Sequence, residues 1–272
     1  MRIIDNPKVF LIGETRVLGD QIQAYLDHIG APDWSTDAPT DAEELVEVMG
    51  RACYRSFGTD LNPNITRTRK GNEPYMKNIL KVAHGSVIEH VTFNFMFVDV
   101  SRVFTHELVR HRPGVAISQE SLRFVRLDDI GMWLPLELRE DEVAWEIIQS
   151  TVETMEQAYA ALVDHFGLDD EGKKFKEKKI WTSRFRRIAP IGLATSIGWS
   201  TNARTLRWVL ENRTHPSAEE EIREVFDMVG DIVVSRYPNL FGDFRKTNND
   251  GEPWDPERDG HLFCWTPEFH KV

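Results

Sequence analysis

The sequence predicts a single α+β domain, on three observations. Val91, Phe93, Phe95 and Phe97 alternate with Thr92, Asn94 and Met96, the period-2 pattern of a strand with one buried face. Several longer stretches instead space their apolar residues by three and four, as helices do. No internal repeat and no linker-like segment divides the 272 residues, a length that supports a substantial core.

In chain order, residues 8–12 (Lys-Val-Phe-Leu-Ile) read as a strand and Asp20–His28 as a short helix, followed by a loop rich in Pro, Asp and Thr. Thr40-Asp41-Ala42-Glu43 has the form of a capping box. Leu45, Met49, Ala52 and Cys53 continue it as an amphipathic helix, which puts Cys53 in the core. Residues 57–72, with Gly58, Pro63, Asn64 and Gly71, form a mobile polar loop. Pro74 suits the start of a helix that buries Ile79, Leu80 and Val82 and breaks at His84-Gly85-Ser86. After the aromatic strand, Asp99 or Ser101 can cap a helix through Val103, Phe104 and Leu108. Pro113-Gly114 forces a turn, and Leu122-Arg123-Phe124-Val125 has strand character.

The clearest helix spans 140–166, where Ile148, Val152, Met155, Tyr159, Leu162 and Phe166 form a seam ended by Gly167. Such a seam packs against another helix, of this chain or of another subunit. Asn202–Arg213 and Ala218–Val234 read as two more helices. The stretch from Lys246 is polar and rich in Gly, Pro and Asp, so a domain over 1–245 followed by a loosely held tail over 246–272 is expected.

Composition narrows the function. The net charge of −11 argues against a general nucleic-acid binder. No apolar run approaches the roughly 20 residues of a membrane helix, and no signal peptide is visible. Cys53 and Cys264 form neither a disulfide framework nor a zinc spacing, which suits a reducing cytoplasm. Basic charge is concentrated in two islands, Ser101–Arg126 and Lys173–Arg187, an arrangement suited to a small polyanion or to a solvated helix face.

Within the first island, Arg110-His111-Arg112 precedes Pro113-Gly114 and the polar run Ser118-Gln119-Glu120-Ser121, closed by Arg123. Guanidinium forks bind phosphate oxygens bidentately, and Ser and Gln suit base or sugar edges. An anionic ligand of the nucleotide kind is therefore expected. His106 and His111 stand five apart, about 140° around a helix at roughly 100° per residue, so they do not form a metal pair, and no metal is expected. There is no G-x-G-x-x-G, no P-loop and no G-x-S-x-G elbow, so any nucleotide must be held by Arg residues and helix N-termini.

These residues resemble the flavin-dependent thymidylate synthases. The family signature is an Arg-His-Arg followed by Ser and then Arg two beyond. Gly50–Tyr54, His84–His90, Thr105–Val109, Ser118-Gln119-x-Ser121-x-Arg123, Asn202-Ala203-Arg204 and Arg213 all look like family segments, in order, over roughly residues 8–245. The resemblance implies a homotetramer with a central, mainly antiparallel sheet flanked by long helices. It implies transfer of a methylene group from 5,10-methylenetetrahydrofolate to dUMP, with FAD reduced by NADPH. By the same resemblance, His84, Ser86, Glu89, Arg110, His111, Arg112, Gln119, Asn202 and Arg204 contact FAD. Glu107, Leu108, Val109, Arg110, Gln119, Ser121, Arg123, Arg186 and Arg213 contact dUMP, with Arg213 the catalytic residue.

This chain departs from the family pattern in three places. Eight residues separate Arg112 from Ser121, one more than usual, and Pro113-Gly114 is the expected place of the extra residue. Ser217 stands where members often carry a His, with His215 two residues earlier, and Trp208 stands where some have an Asn near the flavin. The longer loop abuts the substrate, so UMP or another pyrimidine nucleotide is the alternative substrate; a homologue that binds nucleotide without turnover is the non-catalytic reading.

Overall fold

The structure, a computed structural model, describes all residues except Val125, His261, Leu262 and Lys271. The elements are β1 (Arg2–Ile4), β2 (Lys8–Glu14), α1 (Gly19–Ile29), α2 (Asp41–Tyr54), α3 (Asn72–Lys81), a 3-10 helix (Gly85–His90), β3 (Thr92–Ser101), α4 (Arg102–Leu108), β4 (Val115–Gln119), β5 (Gly131–Trp133) and α5 (Leu136–Glu140). They continue with α6 (Glu142–His165), α7 (Phe175–Phe185), a 3-10 turn (Arg186–Ile188), β6 (Ala194–Asn202), α8 (Ala203–Arg213), α9 (Glu220–Arg236), α10 (Pro238–Phe241), β7 (Phe244–Thr247), α11 (Pro256–Asp259) and β8 (Cys264–Pro267). Strands β2, β3, β6 and β4 form a four-stranded sheet in that order, while β1 pairs parallel with β5 and β7 antiparallel with β8. The mixed helix-and-sheet class with an antiparallel sheet is the one the sequence predicts.

The residues group into two compact units, each assembled from three stretches. The first contains Met1–Val9, Met96–Arg110 and Ile117–Gly198; the second contains Phe10–Phe95, His111–Ala116 and Trp199–Val272.

In the first unit the α6 seam is covered by the same chain. Val152 and Tyr159 are buried with Phe185, Leu168 and Leu193, and Ile148, Leu162, Phe166 and Trp181 pack on them. Phe166 stacks on Trp181 of α7 at 4.0 Å between ring centres. Of the two partners left open for the seam, a helix of this chain is the one that packs on it. Leu122–Phe124 is a turn and not a strand, and Val125 lies outside the described residues. The reason is local: the Ser121 carbonyl accepts from Phe124 N–H at 2.9 Å and the Ser121 hydroxyl from Arg123 N–H at 3.3 Å, bonds that replace a ladder.

In the second unit Thr40 caps α2, accepting from Glu43 N–H at 3.3 Å and donating to the Glu43 carboxylate at 2.7 Å. Cys53, expected in the core, is exposed. The inward face of α2 is taken by a polar network in which Arg51 pairs with Glu47 at 2.7 Å and Glu47 accepts from Thr36 and Asn72. A helix that buries Glu43, Glu47 and Arg51 turns Cys53 outward.

The loosely held tail is also corrected. β8 pairs with β7, and Phe263, Cys264 and Trp265 are buried. Trp265 Nε1–H donates to Asp227 at 3.1 Å, and its ring lies against Gly230 of α9, where an added Cβ would come within 2.1 Å of Nε1. Gly230→Ala is therefore expected to cost about 1–3 kcal/mol by overpacking, despite the better helix propensity of alanine. Urea unfolding measures it, and a variant as stable as the wild type would mean that Trp265 can leave the α9 face freely.

Candidate functional site

The sequence-predicted site residues fall into two groups, one in each unit. In the first unit, the Ser101 hydroxyl accepts from Phe104 N–H at 3.1 Å and so opens α4, whose last turn carries Glu107. Arg110 reaches Glu107 at 3.5 Å, and Gln119 Nε2 donates to the Thr105 hydroxyl at 3.1 Å. Leu108 is fully buried, with neither side chain nor backbone at the surface. The Thr182 hydroxyl donates to the Arg123 carbonyl at 2.7 Å, tying the Ser121–Arg123 turn to α7 one helical turn before Arg186. Arg123 and Arg186 are both exposed cations. This group can hold a phosphate without burying an uncompensated charge.

In the second unit, the 3-10 helix Gly85–His90 meets α8 through an ion pair between Arg204 and Glu89 at 2.6 Å. Asn202 caps α8, its side-chain oxygen accepting from Thr205 N–H at 2.8 Å, while its own N–H donates to the Gly114 carbonyl at 3.0 Å. The Thr205 hydroxyl donates to the Pro113 carbonyl at 2.8 Å, so the Pro-Gly turn is clamped on the start of α8. Gly114 has φ +67°, and an added Cβ would come within 2.2 Å of the Asn202 amide. Only glycine suits that position. The longer loop thus has a built seat.

His111 is 5% exposed. Arg213, at the end of α8, donates its Nε–H to His111 Nε2 at 2.6 Å, and Trp208 stands edge-on to the imidazole with ring centres 5.0 Å apart. A cation is favoured at the C-terminal end of a helix, but Arg213 is also held by this specific bond. Its guanidinium is aimed by an imidazole whose accepting nitrogen is unprotonated. His215 and Ser217 close on each other, with 2.8 Å between Nδ1 and the hydroxyl oxygen.

Ser86 and Arg112 are exposed, and His84 has a buried Nδ1 with no partner. A buried polar atom without a partner is rare and calls for an external group. With cationic Arg112 and Arg204 in the same unit, the set suits a large anionic cofactor with hydrogen-bonding edges. Sequence reading missed the last residues of the chain. Arg204 Nε–H donates to the Val272 carbonyl at 3.3 Å, and His270 lies 2.6 Å from Glu211. The only signal was Phe263-Cys264-Trp265, an apolar triplet inside a polar stretch. Among the described residues, no three His, Cys, Asp or Glu side chains converge as metal ligands, and no helix is long and apolar enough to cross a membrane.

The sequence profile of the family described as "Thymidylate synthase complementing protein" (Thy1) matches residues 36–239. The chain belongs to the Thy1 family. Relatives include the flavin-dependent thymidylate synthase of Mycobacteroides abscessus, 34% identical over 82% of this chain and 88% of that one. The enzyme of the same name from Corynebacterium diphtheriae is 35% identical over 78% of this chain and 83% of its own length. The fold is shared with a solved structure, the UMP/dUMP methylase PolB from Streptomyces cacaoi bound with 5-Br dUMP. That likeness has a TM-score of 0.62 at 15% identity, covering 89% of this chain and 96% of that one. The matched Thy1 stretch holds every candidate residue from His84 to Arg213 and ends before β7.

Proposed function

We propose that this chain is a flavin-dependent thymidylate synthase. It moves a methylene group from 5,10-methylenetetrahydrofolate to C5 of dUMP and reduces it to a methyl group at the expense of NADPH. The observation that carries the reading is the 34% identity over 82% of the chain to an enzyme of that name. Bound FAD supplies the reducing equivalents. Its holders are His84, Ser86, Glu89, Asn202 and Arg204, with Arg110, His111, Arg112 and Gln119, and the unpartnered His84 Nδ1 supports that assignment.

On the nucleotide, Arg123 and Arg186 neutralise the 5′-phosphate and Ser121 and Gln119 bind polar edges. Glu107, Leu108, Val109 and Arg110 complete the wall. Arg213, aimed by His111, stabilises negative charge on the pyrimidine as C5 becomes nucleophilic. The reading uses no cysteine nucleophile: Cys264 is buried, and burial pushes its thiol pKa up, while Cys53 is exposed on α2 and is none of the residues assigned to the site. A homotetramer in the cytoplasm, each site drawing on several copies, completes the reading.

The purified protein should be yellow and should form dTMP from dUMP with both co-substrates. Protein that remains inactive once loaded with FAD would refute the proposal. Arg112→Ala should weaken flavin retention, read as loss of yellow colour on gel filtration. UMP is the alternative substrate, favoured by the seated extra residue at Pro113-Gly114; turnover of UMP beside dUMP separates the two.

A further inference from the structure

We propose that the aromatic and basic edge of α7 binds the adenosine 2′-phosphate half of the reductant, NADPH. The proposal rests on the reading that this chain draws its reducing equivalents from that dinucleotide.

Of the second basic island, Lys173–Arg187, the site described above uses Arg186 alone. The island carries eight cations and one acid, Glu177, in a chain of net charge −11. Lys173 Nζ donates to the Phe166 carbonyl. Among the described residues, Lys178 alone in the island has an ion-pair partner, Asp169 at 4.0 Å. A run of charge by itself is a solvated face. Here it is joined by two phenyl rings left in water.

Phe175, in the first turn of α7, is 71% exposed, and Phe124 is 56% exposed. The two rings stack with centres 6.1 Å apart and planes at 13°, and Lys179 Nζ stands 4.7 Å from the centre of the Phe124 ring. Helical spacing puts Lys179 one turn after Phe175 on the same edge, with Lys176 beside both. The edge continues through Thr182, whose hydroxyl donates to the Arg123 carbonyl at 2.7 Å. It ends at Arg186, about 16 Å from Phe175 at 1.5 Å per residue. A ligand laid on this edge therefore has an apolar rest at one end, ammonium groups along it and the proposed nucleotide site at the other.

The occupant follows from charge and shape. Of the anionic partners of the proposed reaction, dUMP has Arg123 and Arg186, and FAD has its own residues in the second unit. NADPH and the folate remain. Adenine is a flat ring, and base-on-aromatic stacking is tolerant of what the ring edges carry. The 2′-phosphate and the diphosphate together bear more charge than the two carboxylates of a folate, and an ammonium binds phosphate well as a point charge. The net negative charge of the chain disfavours a long nucleic acid on the same edge.

The test compares wild type, Phe175→Ala, Lys179→Arg and the double variant Lys176→Ala with Lys179→Ala, all loaded with FAD. Steady-state dTMP formation is measured with NADPH and with NADH, and binding of adenosine 2′,5′-bisphosphate is measured by calorimetry, which needs no turnover. Phe175→Ala should raise KM for both dinucleotides by about fivefold or more with kcat unchanged, as loss of a stacked base does. The double lysine variant should raise KM for NADPH by about fivefold while KM for NADH moves little, and Lys179→Arg should stay close to wild type. Adenosine 2′,5′-bisphosphate should bind wild type and lose affinity in the same variants. An unchanged KM for NADPH in both alanine variants overturns the proposal, as does a rise confined to methylenetetrahydrofolate, which would give the edge to the folate. Wild type that forms dTMP but does not bind the bisphosphate overturns the proposal and leaves the functional reading standing. Wild type that binds the bisphosphate through Phe175 and Lys179 but forms no dTMP supports the site and overturns the functional reading instead.

Discussion

Arg213→Ala should lower dTMP formation by at least about a hundredfold while FAD stays bound, the loss expected when one preorganised donor to a developing negative charge is removed. The expectation comes from the way the guanidinium is held. Its Nε–H is spent on His111 Nε2 at 2.6 Å, which fixes the plane of the fork and leaves the direction of its remaining N–H groups set by that bond. His111 is in turn enclosed, 5% exposed and flanked edge-on by Trp208. Alanine removes the charge and leaves the imidazole without this partner. Lysine keeps the charge but not the fork, so Arg213→Lys should remain strongly impaired. Single-turnover assays on protein of verified flavin content measure the effect. Should Arg213→Ala lose flavin to the same extent as Arg112→Ala, the division of roles between the two arginines is wrong.

Arg207→Ala should destabilise the protein by about 3–5 kcal/mol, because it breaks a buried pair and strands one partner. Arg207 and Asp243 have side chains only 4% and 7% exposed, and the guanidinium grips the carboxylate with two bonds, at 2.6 and 2.7 Å. The same group donates to the Leu240 carbonyl at 2.7 Å and the Phe269 carbonyl at 3.3 Å, and it lies 4.8 Å from the centre of the Phe244 ring. One side chain therefore holds α8, α10, β7 and the end of the chain together. Urea denaturation should show a lower midpoint, and the double variant Arg207→Met with Asp243→Leu should recover much of the loss because no charge is left buried. A single variant within 1 kcal/mol of wild type, against the roughly 3–5 kcal/mol expected for a stranded buried charge, would refute the role of the pair.

Several features were legible from local spacing. The alternation through Phe93, Phe95 and Phe97 places those rings inward, and all three are buried. Thr40 caps its helix as read, and of Asp99 and Ser101 it is Ser101 that caps α4, because a short polar side chain before an apolar periodic run has N–H groups within reach. The Pro113-Gly114 turn was also readable, since its backbone angles are set by the two residues themselves. The resemblance carried by Arg110–Arg123 and its companion segments reached the family without the fold.

Other features were not legible, for a common reason. Cys53 was misplaced because its spacing fits an apolar face, while the inward face of α2 is filled by the Glu47–Arg51 pair and its partners from two other segments. β8 escaped notice because its four residues become a strand only beside β7. The seam of α6 was visible, but the sequence was silent on whether α7 or another subunit covers it.

The sequence by itself determined the periodic elements, their caps and the identity of the signature residues, because those follow from contacts within a few positions of one another. Only the tertiary structure decided that Arg213 points at His111, 102 positions away, that a Pro-Gly turn rests on the start of α8, and that His84 has a buried ring nitrogen still lacking its partner. Hydrogen-bond valences of buried side chains are filled, or left open, by residues that only folding brings near.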